Sequence, residues 1–265
     1  MKKSIAQLII LVALFFTTYY LVTKVNWMKL FHVEKITKST EEKLGDLIWK
    51  AYSSTSKEIT NNQVLHTIDS IVYKICNAND IDSSKIKIHI IDKDEINAFA
   101  LPNYHLAIYS GLINECENAD ELAGVVAHEL AHMQKSHVMK KLLKEIGLGA
   151  LITLTSGNGG GGTISETIRI LSSSAYDRKL EREADITGVD YVMKAKINPE
   201  GLAQFLFRLS ADEKGMPKQI FWVSTHPESE ERAKDIMARI KSVSKEKFPK
   251  SSAKNWDEFK KQLDN

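Results

Sequence analysis

Little in this chain points to a disulfide scaffold, a nucleic-acid partner or a repeat architecture. Two cysteines occur in 265 residues, Cys76 and Cys116, with no CxxC spacing. That excludes a disulfide framework and a cysteine-built metal site, leaving one bridge or two buried thiols as the alternatives. An excess of one charge is also missing. The 36 Lys and Arg and 34 Asp and Glu are interspersed and leave a net charge of +2. No basic stripe offers the electrostatic footprint of nucleic-acid binding, so no nucleic-acid partner is expected. No internal repeat is present, and low complexity is confined to the glycine cluster from Gly157 to Gly162. What remains is an ordinary globular composition, 43% hydrophobic and 26% charged, with room for one sizeable domain plus extras or two small ones.

The first long feature is apolar. Lys2 and Lys3 precede an uncharged run from Ile5 to Val22, which as a helix would be about 27 Å long, just enough to cross a bilayer core. Lys24, Trp27 and Lys29 follow as interfacial anchors do. No small-x-small cleavage site follows Thr17-Thr18-Tyr19-Tyr20, and no cysteine offers a lipid attachment point. The expectation is an N-terminal membrane anchor over 1–23, with a cleaved signal sequence as the alternative. The body is expected on the extracytoplasmic (periplasmic) side. Residues 24–40 read as a linker, 41–245 as the main domain and 246–265 as a polar tail.

Within the main domain helical periodicity dominates. Leu44, Leu47, Ile48 and Ala51, then Val64, Ile68, Val72 and Ile75, fall on helix faces. Lys85 to Ile91 alternates as a half-buried strand, and short strands Ala98 to Leu101 and Leu106 to Tyr109 flank a turn at Pro102-Asn103. The expected fold is α+β, mainly helical, with a small antiparallel sheet. Asp120 is the expected cap of one long helix from Glu121 to about Ile146. Apolar stretches from Gly147 to Ser156 and Ile164 to Leu171 flank the glycines, a lid over a site or a solvent-exposed connector. Further helices are expected over Tyr176 to Ala195, Gly201 to Ala211, Glu228 to Val243, and around Trp256 to Leu263.

The chemistry sits in the long helix. His128-Glu129-Leu130-Ala131-His132 places two imidazoles four residues apart, about 40° from eclipsed, so both leave one helix face and can share a metal ion. Glu129 can then reach a water on that metal and act as general base. Solvated or hydrogen-bonded histidines are the plainer alternative. The apolar neighbours Val125, Val126, Leu130 and Met133 argue against it, because bare imidazoles there would be costly. A catalytic zinc needs a third protein ligand, and the helix with Glu181, Glu183 and Asp185 supplies candidates. Glu181 and Asp185 share a face, and Glu183 points about 200° away from Glu181. One carboxylate can bind metal while the other accepts the N–H of a ligand histidine.

HExxH followed by this ExxxD pattern resembles the M48 peptidases, a family that includes CAAX prenyl proteases and periplasmic BepA-like enzymes. The segments from Asn97 to Pro102, His105 to Leu112 and Asp120 to Ala127 are similar to the family's approach to its zinc helix. His137 after that helix and Thr225-His226-Pro227 with Arg232 are similar to its later landmarks. The resemblance implies a zincin-like domain binding one Zn2+, with Glu181 as third ligand and Asp185 as partner of a ligand histidine. It implies that His226 acts in catalysis and that Arg232 and His105 lie near the oxyanion or substrate. It also suggests unfolded or misfolded envelope proteins as substrates. The strand from Leu106 to Tyr109 is expected to bind substrate backbone by β-augmentation. A chaperone or assembly factor that uses the same cleft with little turnover is the alternative. The single apolar segment sets the chain apart from multi-spanning members.

Overall fold

The computed structural model describes Gln7 and residues 33–157, 160–212, 221–227, 229–243 and 248–263. The chain divides into residues 1–41 and 42–265. The apolar run from Ile5 to Val22 lies outside the described residues except for Gln7. No described helix is long and apolar enough to cross a membrane.

The main unit is mostly helical. Helix α1 is Val33–Ser53. Helix α2 (Asn62–Ala78) starts where the Asn61 side chain accepts from the amides of Gln63 and Val64, satisfying two orphan donors. Its buried Val64, Ile68, Val72 and Ile75 repeat at helical spacing and face the core.

Three strands follow: β1 (Lys87–Ile91), β2 (Ala98–Leu101) and β3 (His105–Tyr109). Their spatial order is β1-β3-β2, and the sheet is mixed, not antiparallel as expected. β1 pairs parallel with β3 from Lys87↔His105 to Ile91↔Tyr109, while β2 pairs antiparallel with β3 from Ala98↔Ile108 to Leu101↔His105. Parallel neighbours need a connection of a dozen or more residues. Here residues 92–104, which include β2, supply it. The β2–β3 turn is made by Asn103 (φ 58°) and Tyr104 (φ 61°), both left-handed, a conformation Asn adopts more readily than Tyr. β3 is therefore central and paired on both edges, so it cannot take up substrate backbone as expected. Residues 57–59 meet the outer edge of β1, through Ile59 N–H to the Ile90 carbonyl and Asp92 N–H to the Lys57 carbonyl. Among the described residues the free edge belongs to β2. One sheet face packs on α1, where Trp49 stacks on His89 at 3.5 Å and Tyr52 meets Phe99 edge-on.

After α3 (Ser110–Glu115), the expected long helix is broken. Helix α4 (Ala119–Gln134) ends at Lys135, Ser136 takes the left-handed φ of 54°, and α5 (His137–Glu145) sets off in a new direction. Five residues along a straight helix would put His137 about 140° away from His132. The kink instead returns its Nδ1 to 3.2 Å from His132 Nδ1. The cap of α4 is also not Asp120. Asn118 accepts from the amides of Asp120 and Glu121, and the Asp120 carboxylate accepts from Ser251.

Helices α6 (Gly147–Thr155) and α7 (Gly161–Ser173) flank the glycine cluster, of which Asn158 and Gly159 lie outside the described residues. Then come α8 (Arg178–Lys194), α9 (Glu200–Asp212), α10 (Phe221–Thr225), α11 (Ser229–Val243) and α12 (Ala253–Lys260). α4 is central, packed against β2, α8 and α9. Gly188 permits the α8 approach, because a Cβ there would lie 3.0 Å from the His128 amide nitrogen. The stretch read as a polar tail packs on the body: Trp256 is buried, and its indole N–H donates to the Cys116 carbonyl at 2.7 Å. Both cysteines are buried and unpaired.

Candidate metal centre

Four side chains from three places converge in the interior. His128 and His132 come from one face of α4, Glu181 from the first turn of α8, and His226 from the residue after α10. Their nearest ligand atoms all lie within 4.8 Å of one another, and all four residues are buried. His132 Nε2 is 3.0 Å from His128 Nε2 and 3.2 Å from Glu181 Oε1. His226 Nδ1 lies 2.9 and 3.0 Å from the two Glu181 oxygens and 3.2 Å from His128 Nε2. His128 Nδ1 lies 2.9 Å from Asp185 Oδ1. With its proton on Nδ1, facing the carboxylate, its Nε2 presents a lone pair to the cluster. Ring nitrogens and a carboxylate turned to one point, buried, are a donor set that suits zinc.

Around these donors is a shell of paired charge. Arg232 donates from Nε and Nη2 to the two Asp185 oxygens, both at 2.8 Å, and from Nη1 to the His226 carbonyl at 2.8 Å. Its Nη1 is also 3.0 Å from Glu181 Oε2. The guanidinium is thus held by Asp185, Glu181 and the His226 carbonyl, and it also lines the cavity beside Glu181 and Asp185. Burial opposes charge on Asp185, but Arg232 and His128 outweigh it and bring the carboxyl down to about 2. Burial likewise opposes charge on Glu181, and His226 and Arg232 outweigh it, holding that group well below the usual carboxylate range. His226 is disfavoured as a cation by burial, yet Glu181 and Glu129 raise it to about 9. His132 goes the other way, to about 4, because burial dominates.

Glu129 is fully buried beside the cluster. Its Oε2 accepts from the Ala100 amide at 3.1 Å, and its Oε1 is 3.3 Å from His226 Nε2. Burial would raise its pKa, but the three histidines, led by His226, leave it below the ordinary value. The same carboxylate therefore touches the donor cluster and the free edge of the sheet. A cavity of about 340 Å3 opens beside Glu181 and Asp185, walled by Arg178, Arg182 and Pro227.

Of the residues singled out in the sequence, His128, His132, Glu129, Glu181, Asp185, His226 and Arg232 meet here. His105 does not. Its Nδ1 is 2.9 Å from His89 Nε2 and its Nε2 is 3.0 Å from Asp46 Oδ1, on the α1 side of the sheet. Strand alternation turns it away, since its partners in register are Lys87 and Leu101. Two further residues, given no role from the sequence, border the donors. His137 faces His132, with Glu183 3.5 Å from its far nitrogen. Tyr176 lies over His132 with ring centroids 4.2 Å apart. The spacing of His137 after HExxH was the one available signal.

A buried HExxH helix crossed by a carboxylate-bearing helix, beside a small sheet with one free edge, is the architecture of a metallopeptidase domain. Residues 62–240 match peptidase family M48, and the chain belongs to that family. It is 31% identical over 163 residues to the mitochondrial metalloendopeptidase OMA1 of Bos taurus, covering 56% of this chain and 31% of that protein. It is 30% identical over 168 residues to the metalloprotease LoiP of Escherichia coli K12, covering 61% and 66%. With a putative beta-barrel assembly-enhancing protease of Vibrio cholerae it shares 28% over 200 residues, covering 70% and 41%. The matched region thus spans between about a third and two-thirds of these relatives.

Proposed function

We propose that this chain is a zinc-dependent endopeptidase that cleaves misfolded or unassembled envelope or membrane-associated proteins. The supporting observation is the position of Glu129, held by the Ala100 amide of the free strand edge and bordering the His128, His132 and Glu181 donors. An extended segment adding to the β2 edge would pass its backbone beside that carboxylate, a mode that recognises main chain more than side chains. Unfolded protein fits such recognition. The names of relatives that act in β-barrel assembly or in mitochondria agree with an envelope or membrane setting. The chain would be held there by the Ile5 to Val22 run, with the domain on the extracytoplasmic side.

His128, His132 and Glu181 would hold the zinc. When bound, it supplies a water of lowered pKa and polarises the scissile carbonyl. Glu129 accepts the proton of the attacking water and delivers it to the leaving amine as the C–N bond breaks. His226, beside Glu181 and Glu129, would donate a hydrogen bond where the carbonyl oxygen becomes negative. Asp185 keeps the His128 proton on Nδ1, and Arg232 fixes Asp185.

The test is degradation of an unfolded protein by the full chain in detergent with zinc, beside Glu129→Gln. That variant keeps every donor and loses the base. Cleavage by the parent alone, abolished by a chelator, supports the peptidase. Equal zinc in both without cleavage favours a chaperone that uses the same cleft, and absence of zinc from both defeats the metal assignment.

A further inference from the structure

Lys141 is a lysine where none is expected. It lies on α5 at 3% exposure, and no described carboxylate forms an ion pair with it. Its Nζ donates to the Ser174 carbonyl at 2.5 Å and stands 4.1 Å from the centroid of the Tyr176 ring. An ammonium with one carbonyl and one ring face has lost most of its hydration, and burial pulls its pKa down to about 8. Glu181, Glu129 and Glu145 support its charge only from a distance.

The residues it grips lead to the metal centre. Ser174 and Tyr176 belong to the strap between α7 and α8. The Tyr176 amide donates to the Thr225 carbonyl at 3.1 Å, directly before His226. The Tyr176 ring also meets the His132 ring, 4.2 Å away with a 35° tilt, and the His226 ring, stacked at 5.6 Å. His132 has no carboxylate on its Nδ1, only His137 at 3.2 Å. No carboxylate therefore orients its Nδ1 as Asp185, 2.9 Å away, orients that of His128.

We propose that Lys141 is a positioning residue of this centre, clamping the Ser174–Tyr176 strap so that the Tyr176 ring holds His132 in its metal-binding orientation. The contact sequence is ammonium, ring face, imidazole, each step within van der Waals or cation–π reach. The proposal rests on the metal reading above for its readout and on the peptidase reading only for its consequence.

The experiment uses the full chain loaded with Co2+ in place of zinc, comparing the parent with Lys141→Met, Lys141→Arg and Tyr176→Leu. The ligand-field absorption of Co2+ reports donor geometry without turnover. Lys141→Met and Tyr176→Leu are expected to shift that absorption and to speed metal release to a chelator at least fivefold. Lys141→Arg should restore both, because it keeps the cation and its reach. On the zinc forms kcat should fall about tenfold in Lys141→Met, with KM within twofold. A Lys141→Met spectrum and release rate equal to the parent's overturn the proposal. If Lys141→Met does not fold, Tyr176→Leu decides alone, and parent-like behaviour there overturns it equally. Spectral change without cleavage by any form, the parent included, would leave the clamp standing and defeat the peptidase reading.

Discussion

Asp185 Oδ1 lies 2.9 Å from His128 Nδ1, and both Asp185 oxygens are held by Arg232. The first donor of the metal centre is thus set by a buried ion pair one residue removed. Asp185→Asn keeps the shape but lets an amide N–H face the ring, which favours the proton on Nε2, where the metal must bind. Metal affinity is expected to fall about 10- to 100-fold. Competition with a chromophoric chelator, well below the melting midpoint, measures this. Unchanged affinity would mean that His128 needs no partner.

His226 contributes a fourth donor atom, 3.2 Å from His128 Nε2 and 2.9 Å from Glu181. If three ligands hold the metal and His226 serves another end, His226→Ala should retain one metal per chain after dialysis, with affinity reduced less than about tenfold. His132→Ala should lose the metal entirely. A His226→Ala protein that also elutes empty would make His226 an obligatory ligand.

These two predictions separate what could be read from the sequence from what could not. His128 and His132 share a helix face by spacing alone, and so do Glu181 and Asp185, so the core of the site was legible before any tertiary contact was known. The kink at Ser136 was not. The chain turns there through the left-handed φ of 54° at Ser136, a serine with no glycine or proline beside it to mark the break. Sheet order was invisible for the same kind of reason: β1 and β2 are both plausible neighbours of β3 from sequence, and the parallel pairing emerges only once residues 92–104 are seen to cross over. His105 was misplaced because a motif gives a position along the chain and not a sheet face. Lys141 reads as solvated on any helix whose buried side is unknown.

The His89–His105 pair gives the fold an acid sensitivity separate from the metal centre. His89 is mostly buried against Trp49, with His105 and Lys87 beside it, Glu58 3.4 Å from its Nδ1, and Asp46 bound to His105. Burial first, then His105 and Lys87, lower it to about 3. An unfolded histidine titrates near 6.5. Between about pH 6.5 and 3 the unfolded chain therefore binds the extra proton, and stability falls as pH falls through that window. Burial opposes charge on Asp46, but Lys87 and His105 hold it at about 2, which adds a loss in the same direction below its ordinary value of 3.8. The melting midpoint of His89→Gln should fall less between pH 7 and 4 than the parent's, both measured with chelator present. Parallel curves would mean that His89 is protonated in the folded protein.

Gly188 decides how closely the two ligand-bearing helices approach. A methyl there would stand 3.0 Å from the His128 amide nitrogen and 3.1 Å from the Ala127 carbonyl carbon, atoms of the helix backbone that cannot rotate away. Two effects compete in Gly188→Ala. Helix propensity favours alanine by about 1 kcal/mol, whereas overpacking a closed interface costs about 1–3 kcal/mol. The second should win, lowering the melting midpoint by a few degrees for a domain of this size, at about 2–4 °C per kcal/mol. The more telling readout is the metal. Glu181 and Asp185 ride on the same helix, so a displacement of a few tenths of an ångström moves the third donor and the partner of His128 together. Affinity should then drop by more than the stability loss alone suggests. A variant with raised midpoint and parent-like affinity would show that α4 yields at no cost and that the glycine serves propensity rather than geometry.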